Sequence, residues 1–444
     1  MQYRIETTMR SQIRCFLLIL ASAMVAQAAP VLSIPKAAEA SAQFDPVAAT
    51  NAYLASVPAD KHARSDAYFE GGYWLLLWDF LATAGISILL LQTRLSARMR
   101  DTARRVTAIR PLQTAVYWIE YAILTFVLAF PLTVYEGFYR EHQYGLANQN
   151  FAGWMGDQLK GLMVSLILGA VLVTALFAIV RRLNRTWHIW GAIVSILFLI
   201  FGALIAPVFI LPLFNKYTVL NDPRITDPIL SVARANGIPV AKVYEVDASR
   251  QSKRVSANVS GFLGTERITL NDNLLNRCSP QAIVAVMGHE MGHYVMNHIY
   301  KFILSFTVFI VLAFALLRGS LHWSLARWGA RWGLEGIGDI AVLPLAVLVF
   351  SIIGFLFTPF GNTFIRTQEY EADLYGLNAS RQPDGFAESA LLLGEYRKLD
   401  PGAAEEWIFF DHPSGRTRIY SAMRWKKENL CLSNPQLPCG AAIH

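Results

Sequence analysis

Apolar residues in this chain come in long runs with few polar interruptions. Six such runs lie near residues 73–92, 115–138, 161–180, 188–211, 302–317 and 340–358. A helix needs roughly 20 residues to cross a bilayer core, and each run is about long enough. A helix also satisfies its backbone hydrogen bonds internally, which lipid requires. The pattern therefore predicts six membrane helices and a mainly α, polytopic chain. Asp79, Glu120 and Glu136 lie in or at the ends of these runs. Such carboxylates are expected to face a bundle interior or a watery cavity.

Residues 215–300 break this pattern. Val240–Val246 and Arg267–Leu270 are rich in Val and Ile and read as short strands. Ser279 then offers an N-cap and Pro280 a first helical position. The helix they start is expected to run on toward the next membrane span. Residues 360–399 read as further helix, interrupted around Pro383-Asp384-Gly385. The organisation predicted is a four-helix membrane part over 73–214, then a polar domain over 215–425 split around membrane helices 302–317 and 340–358. An Ala-rich exported segment (29–72) precedes these parts, and a tail (426–444) follows.

The first residues read as a secretory signal. Arg4, Arg10 and Arg14 precede an apolar stretch, and Ala26-Gln27-Ala28 supplies a small-x-small cleavage site. Residues 1–28 are thus a signal peptide, or else a first membrane helix.

Composition fits lipid as part of the solvent. Apolar residues make up 54% and charged residues 16%, against roughly 25% charged in soluble chains. The net charge of +7 comes from arginines clustered in short loops, without interleaved exposed aromatics, which excludes nucleic acid as a partner. Arg94, Arg98, Arg100, Arg104, Arg105 and Arg110 crowd one loop; Arg181, Arg182 and Arg185 another; Arg318, Arg327 and Arg331 a third. Basic loops stay cytoplasmic, so residues 215–300 and 359–444 are expected on the exported side. Cys431 and Cys439 would then sit where a disulfide can form.

The chemistry lies in His289-Glu290-Met291-Gly292-His293. On a helix, positions i and i+4 share a face, so both imidazoles can reach one metal. Zinc takes nitrogen and oxygen ligands and keeps a position open for water when catalytic. Glu290 is placed to take a proton from that water. A third ligand is needed. Cys278 reaches poorly, and His298, nine residues after His289, falls on the opposite face of a continuous helix. Glu369, in Arg366-Thr-Gln-Glu369-Tyr-Glu-Ala-Asp373, is the better candidate. By spacing alone it is equally a residue of a solvated helix face. Asp373, at i+4 from Glu369, could accept the second N–H of a ligand histidine, whereas Glu371 points elsewhere.

This H-E-x-x-H helix, the two spans after it and the R-x-x-E-x-x-A-D run resemble the type I CAAX prenyl proteases, membrane zinc metallopeptidases. So do Glu141-His142-Gln143-Tyr144-Gly145, Pro212-Leu213-Phe214-Asn215-Lys216 and His412-Pro413-Ser414 with Arg418-Ile419. The resemblance implies Glu369 as third ligand, one zinc ion per chain and a helical barrel around a chamber. It implies His412 as a group steadying the tetrahedral intermediate and Arg418 as an organiser of the site. It places Ser256, Ala257 and Asn258 where a strand pairs with extended substrate, although the family asparagine aligns with Ser256. Eukaryotic members trim prenylated C-termini. This chain, with its secretory signal and basic loops, looks like a bacterial inner-membrane protein with its catalytic domain periplasmic, opposite to the family's usual orientation. The function expected is hydrolysis of membrane-associated or unfolded polypeptides. Competing readings are a non-catalytic assembly or translocation factor, against which Glu290 argues, and a transporter, which predicts no metal at His289.

The arginine pattern has a direct test. A reporter active only outside the cytoplasm, fused after residue 425, is expected to be active, and one fused in the 93–110 loop inactive. The reverse result inverts the topology.

Overall fold

The computed structural model describes residues 30–260 and 266–433. The signal segment lies outside the described residues, and so does the Cys431–Cys439 pairing, which reaches into 434–444. Helices of six residues or more are numbered in chain order. A short α1 (Pro46–Ala55) precedes α2 (Ala59–Gln92), amphipathic α3 (Leu95–Val106), α4 (Arg110–Val134), α5 (Phe151–Arg182) and α6 (Trp187–Ile205). Next come β1 (Tyr217–Val219), α7 (Pro223–Ala235), β2 (Val243–Val246), β3 (Ala257–Ser260), β4 (Arg267–Asn271), α8 (Asp272–Arg277) and α9 (Pro280–Val295). Two long helices follow, α10 (His298–Trp332) and α11 (Leu343–Ser380), then α12 (Pro383–Leu393), α13 (Ala403–Phe409) and α14 (Gly415–Glu428).

Among the described residues, six helical stretches, built on α2, α4, α5, α6, α10 and α11, are long and apolar enough to cross a membrane. They pack in a closed circuit: α2 on α4, α4 on α5, α5 on α6, α6 on α10, α10 on α11, and α11 back on α2. Their outer faces are left apolar and exposed, as at Ile167, Val171, Leu197, Leu304 and Leu356. This is the barrel of a polytopic membrane protein, enclosing a chamber.

Most of the remaining chain caps one end. The four-stranded sheet runs β1-β2-β4-β3, with β2 and β4 parallel and both outer pairs antiparallel. Ile268 and Leu270 of β4 pack with Ile229 and Ala233 of α7 and with Ile283, Met287 and Met291 of α9 in one buried cluster. Strand β3 lies at the sheet edge and against α9. A second cluster joins the N-terminal residues Ala38, Phe44, Ala49 and Tyr53 to Phe386, Ile419 and Met423. There the Lys426 ammonium bonds the Ala38 carbonyl at 2.6 Å and pairs with Asp384 at 2.6 Å. The N-terminal segment, the sheet and α12–α14 therefore share one side of the barrel.

The other end is closed by the loop between α10 and α11. Buried Arg100 pairs with Asp339 at 2.6 Å and bonds the Gly333 carbonyl, Arg104 pairs with Glu335, and Arg181 bonds the Gly338 carbonyl. Several of the arginines that set the charge pattern thus also fasten this loop.

Helix α9 approaches α11 over small residues. A Cβ at Gly376 would stand 2.7 Å from the His289 nitrogen, and one at Gly288 would stand 2.9 Å from the Gly376 carbonyl. Overpacking a tight contact costs about 1–3 kcal/mol. Gly376→Ala is accordingly expected to lower thermal stability by that amount and to weaken metal binding. Unchanged unfolding and metal affinity would show that the two helices can separate freely.

Candidate metal centre

Ser279 caps α9, its hydroxyl accepting from the Ala282 N–H at 3.1 Å. The Glu388 carboxylate of α12 in turn accepts from the Ser279 N–H at 3.0 Å and from its hydroxyl. One turn apart on this anchored helix, His289 and His293 bring their Nε2 atoms to 3.1 Å from each other. Helix α11 supplies Glu369, with Oε2 3.3 Å from His289 Nε2 and Oε1 3.3 Å from His293 Nε2. Tetrahedral ligand atoms about 2.05 Å from a zinc ion stand roughly 3.3 Å apart, so the three donors match such an ion. Among the described residues these are the His, Cys, Asp or Glu side chains that group closely enough to hold a metal. Cys278 is instead buried in the cluster beneath the sheet.

The proton arrangement supports the same fit. His289 Nδ1 lies 2.7 Å from Asp373 Oδ1, which binds the imidazole proton there, so that in the neutral ring the Nε2 lone pair is free. Arg418 holds the other face of Asp373, with Nε to Oδ2 at 2.9 Å and Nη2 to Oδ1 at 2.5 Å. His293 Nδ1 lies 2.8 Å from His298 Nδ1, and His298 Nε2 lies 3.1 Å from Glu371 Oε2, which also takes Lys301 Nζ at 2.6 Å. A single assignment satisfies this chain: His298 donates to Glu371 and accepts from His293. Both ligand histidines then aim Nε2 lone pairs at one point beside a carboxylate. These groups are satisfied either by protons on Nε2, which Glu369 accepts, or by a cation in the protons' place.

The sequence reading places His298 on the opposite face, and the structure corrects that. Helix α9 does not continue into α10. Asn297 takes a left-handed conformation (φ 58°, ψ 38°), which asparagine tolerates better than most residues. The turn brings His298 back beside His293 and Glu371 into reach of both His298 and Lys301. An asparagine between two helical runs was the available signal.

Glu290 is half-buried and makes no hydrogen bond among the described residues. Burial raises its carboxyl pKa, against the pull of His289 and His293. Burial alone disfavours a charged His289, yet its bonds to Asp373 and Glu369 prevail and carry the imidazole to about 10. That negative surrounding favours a divalent cation for the same reason. His412 stands beside the donors, its Nε2 3.3 Å from Glu369 Oε2 and its Nδ1 2.8 Å from Asp411. Burial lowers its pKa, with the Asp411 hydrogen bond opposing. Arg418 is buried, and Asp373 keeps it charged against that burial. Ala257 and Asn258 lie on edge strand β3 opposite Leu270 and Thr269. Ser256 precedes them, and its carbonyl accepts the Asn271 N–H at 3.0 Å. The structure thus brings His289, His293, Glu290, Glu369, Asp373, His412 and Arg418 together, and sets Ser256, Ala257 and Asn258 on or beside the strand next to α9.

Comparison with known proteins yields two family matches. Peptidase family M48 matches residues 220–426, and the CAAX prenyl protease N-terminal region, described as five membrane helices, matches residues 46–216. A protein named as an uncharacterized metalloprotease, YhfN of Bacillus subtilis, is 29% identical over 77% of this chain and 80% of its own length. CAAX prenyl protease 1 of Saccharomyces cerevisiae is 31% identical, over 38% of this chain and 37% of its own length. The homologue from Arabidopsis thaliana is 35% identical over 36% and 38%. The crystal structure of S. mikatae Ste24p shares the fold, with a TM-score of 0.71 at 20% identity over 83% of this chain and 89% of that one.

Residues that orient a ligand histidine typically contribute 10–100-fold to metal affinity. His298→Ala is therefore expected to weaken zinc binding by about that factor, read by chelator competition on the purified protein. An unchanged affinity would reduce the His298–Glu371 pair to a packing role.

Proposed function

Because the chain belongs to the CAAX prenyl protease-like membrane peptidases of family M48, we propose that it is a zinc-dependent endopeptidase, cutting membrane-associated or unfolded polypeptides at the capped end of its chamber. One observation carries this reading: the convergence of His289, His293 and Glu369 at 3.1–3.3 Å beside a carboxylate, Glu290, that has no hydrogen-bond partner among the described residues. A zinc ion held by those three residues supplies Lewis-acid polarisation of the scissile carbonyl and lowers the pKa of the attacking water.

The protein's own groups do the rest. Glu290 takes a proton from the water and returns it to the leaving amine, a task suited to a carboxyl whose pKa burial has raised. His412, with Asp411 holding its Nδ1–H, turns Nε2 toward the site and donates from it, when protonated, to the oxygen where negative charge develops. Arg418 and Asp373 fix the His289 ring. Strand β3, at the sheet edge among the described residues and with Ser256, Ala257 and Asn258 on or beside it, is suited to pair with an extended peptide. Such pairing reads backbone and tolerates varied side chains. We place the protein in a bacterial inner membrane with this site on the periplasmic face, following the arginine pattern.

Glu290→Gln keeps the three ligands and removes the base. Wild-type protein is expected to hold about one zinc per chain and to cut an unfolded or membrane-tethered polypeptide. The Glu290→Gln protein should hold the same zinc and lose cutting by at least about 100-fold. Zinc without cutting by either protein would point to a non-catalytic role. Absence of zinc would remove the reading altogether.

A further inference from the structure

Beside the metal centre a second cavity, of about 430 Å³, opens between α2 and the chain leading to His412. Its lining includes Tyr73, Arg140, Arg254, Asn362, Arg397 and Asp411. Three guanidinium groups thus face a single carboxylate, and that carboxylate is already bonded to His412 at 2.8 Å. Arg140 is engaged: it stacks on the Tyr68 ring at 4.0 Å and bonds the Tyr68 carbonyl. Arg254 is engaged on one side only. Its Nη2 reaches Glu141 at 2.8 Å, while its Nε is buried without a hydrogen-bond partner.

Arg397 differs from both. Its carbonyl accepts from the Ser65 hydroxyl at 3.1 Å, so its backbone is tied down. Its guanidinium makes no hydrogen bond or ion pair among the described residues, although it is half-buried. The surrounding cations all have partners: Lys398 pairs with Glu70 and Glu405, Arg416 with Asp400, Arg418 with Asp373, and Arg366 bonds the Glu406 and Phe410 carbonyls. Arg397 also lines the narrow pocket that holds His412 and Arg418, so it bridges this cavity and the metal centre. A guanidinium left unpaired in a cavity wall, next to a reacting centre, presents a planar fork of donors matched to a carboxylate.

We propose that Arg397, supported by Arg254, forms a carboxylate-binding subsite that selects peptides carrying an acidic side chain near the scissile bond. This rests on the peptidase reading. The ligand is the carboxylate of an aspartate or glutamate side chain. Among the described residues Arg397 makes no hydrogen bond or ion pair with a metal donor or Glu290, although its charge also bears on Asp411 and His412; its part is preference. A hydrogen bond to a charged group contributes about 1.5–3 kcal/mol, which predicts a preference of about tenfold or more.

The test uses full-length protein in detergent and one fluorescein-labelled parent peptide. A single Gln is replaced by Glu at successive positions on either side of the cleavage site. Binding is read by anisotropy on Glu290→Gln protein, and cutting on the wild type. At one Glu position the acidic peptide is expected to bind about tenfold more tightly than its neutral partner. Arg397→Gln should erase that ratio, leaving the neutral peptides and zinc content unchanged, and Arg397→Lys should keep part of it. Equal binding of every acidic and neutral pair, or a ratio that survives Arg397→Gln, overturns the subsite. Discrimination in binding with no cutting by wild type overturns the peptidase reading and leaves the subsite standing. Cutting without discrimination does the reverse.

Discussion

The close contact of α9 with α11 is the constraint on which the rest of this molecule depends. One helix carries two imidazoles, the other a carboxylate and the aspartate that orients one imidazole. These groups converge only if the backbones nearly touch. Gly288, Gly292, Ala372 and Gly376 remove the side chains that would keep them apart. Because α11 is also a stave of the barrel, packing on α2 and α10, the position of Glu369 is fixed by the whole membrane ring. The end that carries the His-Glu cluster and the membrane part are thus mechanically one object.

The sequence was most legible where the physics is local. Six apolar runs announce six long helices because length and composition suffice for membrane insertion. His289 and His293 announce a shared face because four residues make about one turn. Ser279 and Pro280 mark the helix start for similarly local reasons. Glu369 is different: nothing in its spacing from His293 compels the two to meet, and only resemblance singled it out. The packing that unites them runs through glycines, which carry no chemical label. A continuous helix would put His298 on the far face, and one left-handed asparagine, Asn297, turns it back beside His293. Arg397 was invisible for another reason. Being unpaired is a property of surroundings, and no residue type encodes it.

The arginines show how one residue class can answer to two demands. Arg100, Arg104 and Arg181 belong to the basic loops from which orientation is read, and they also fasten the α10–α11 loop by ion pairs and carbonyl contacts. Their abundance at that end therefore reflects loop closure as well as membrane charge asymmetry.

The strap of residues 30–57 lying across α12 and α14 bears on how the molecule comes to be. Lys426 grips the Ala38 carbonyl across 388 residues of sequence, and α2 closes the ring only against α11. A ribosome must therefore release nearly the whole chain before its beginning finds its seat. His412 and Arg418 emerge late as well. A copy made only as far as residue 300 carries both histidines yet lacks Glu369, Asp373 and Arg418, so the cluster cannot assemble until the last part of the chain has been made.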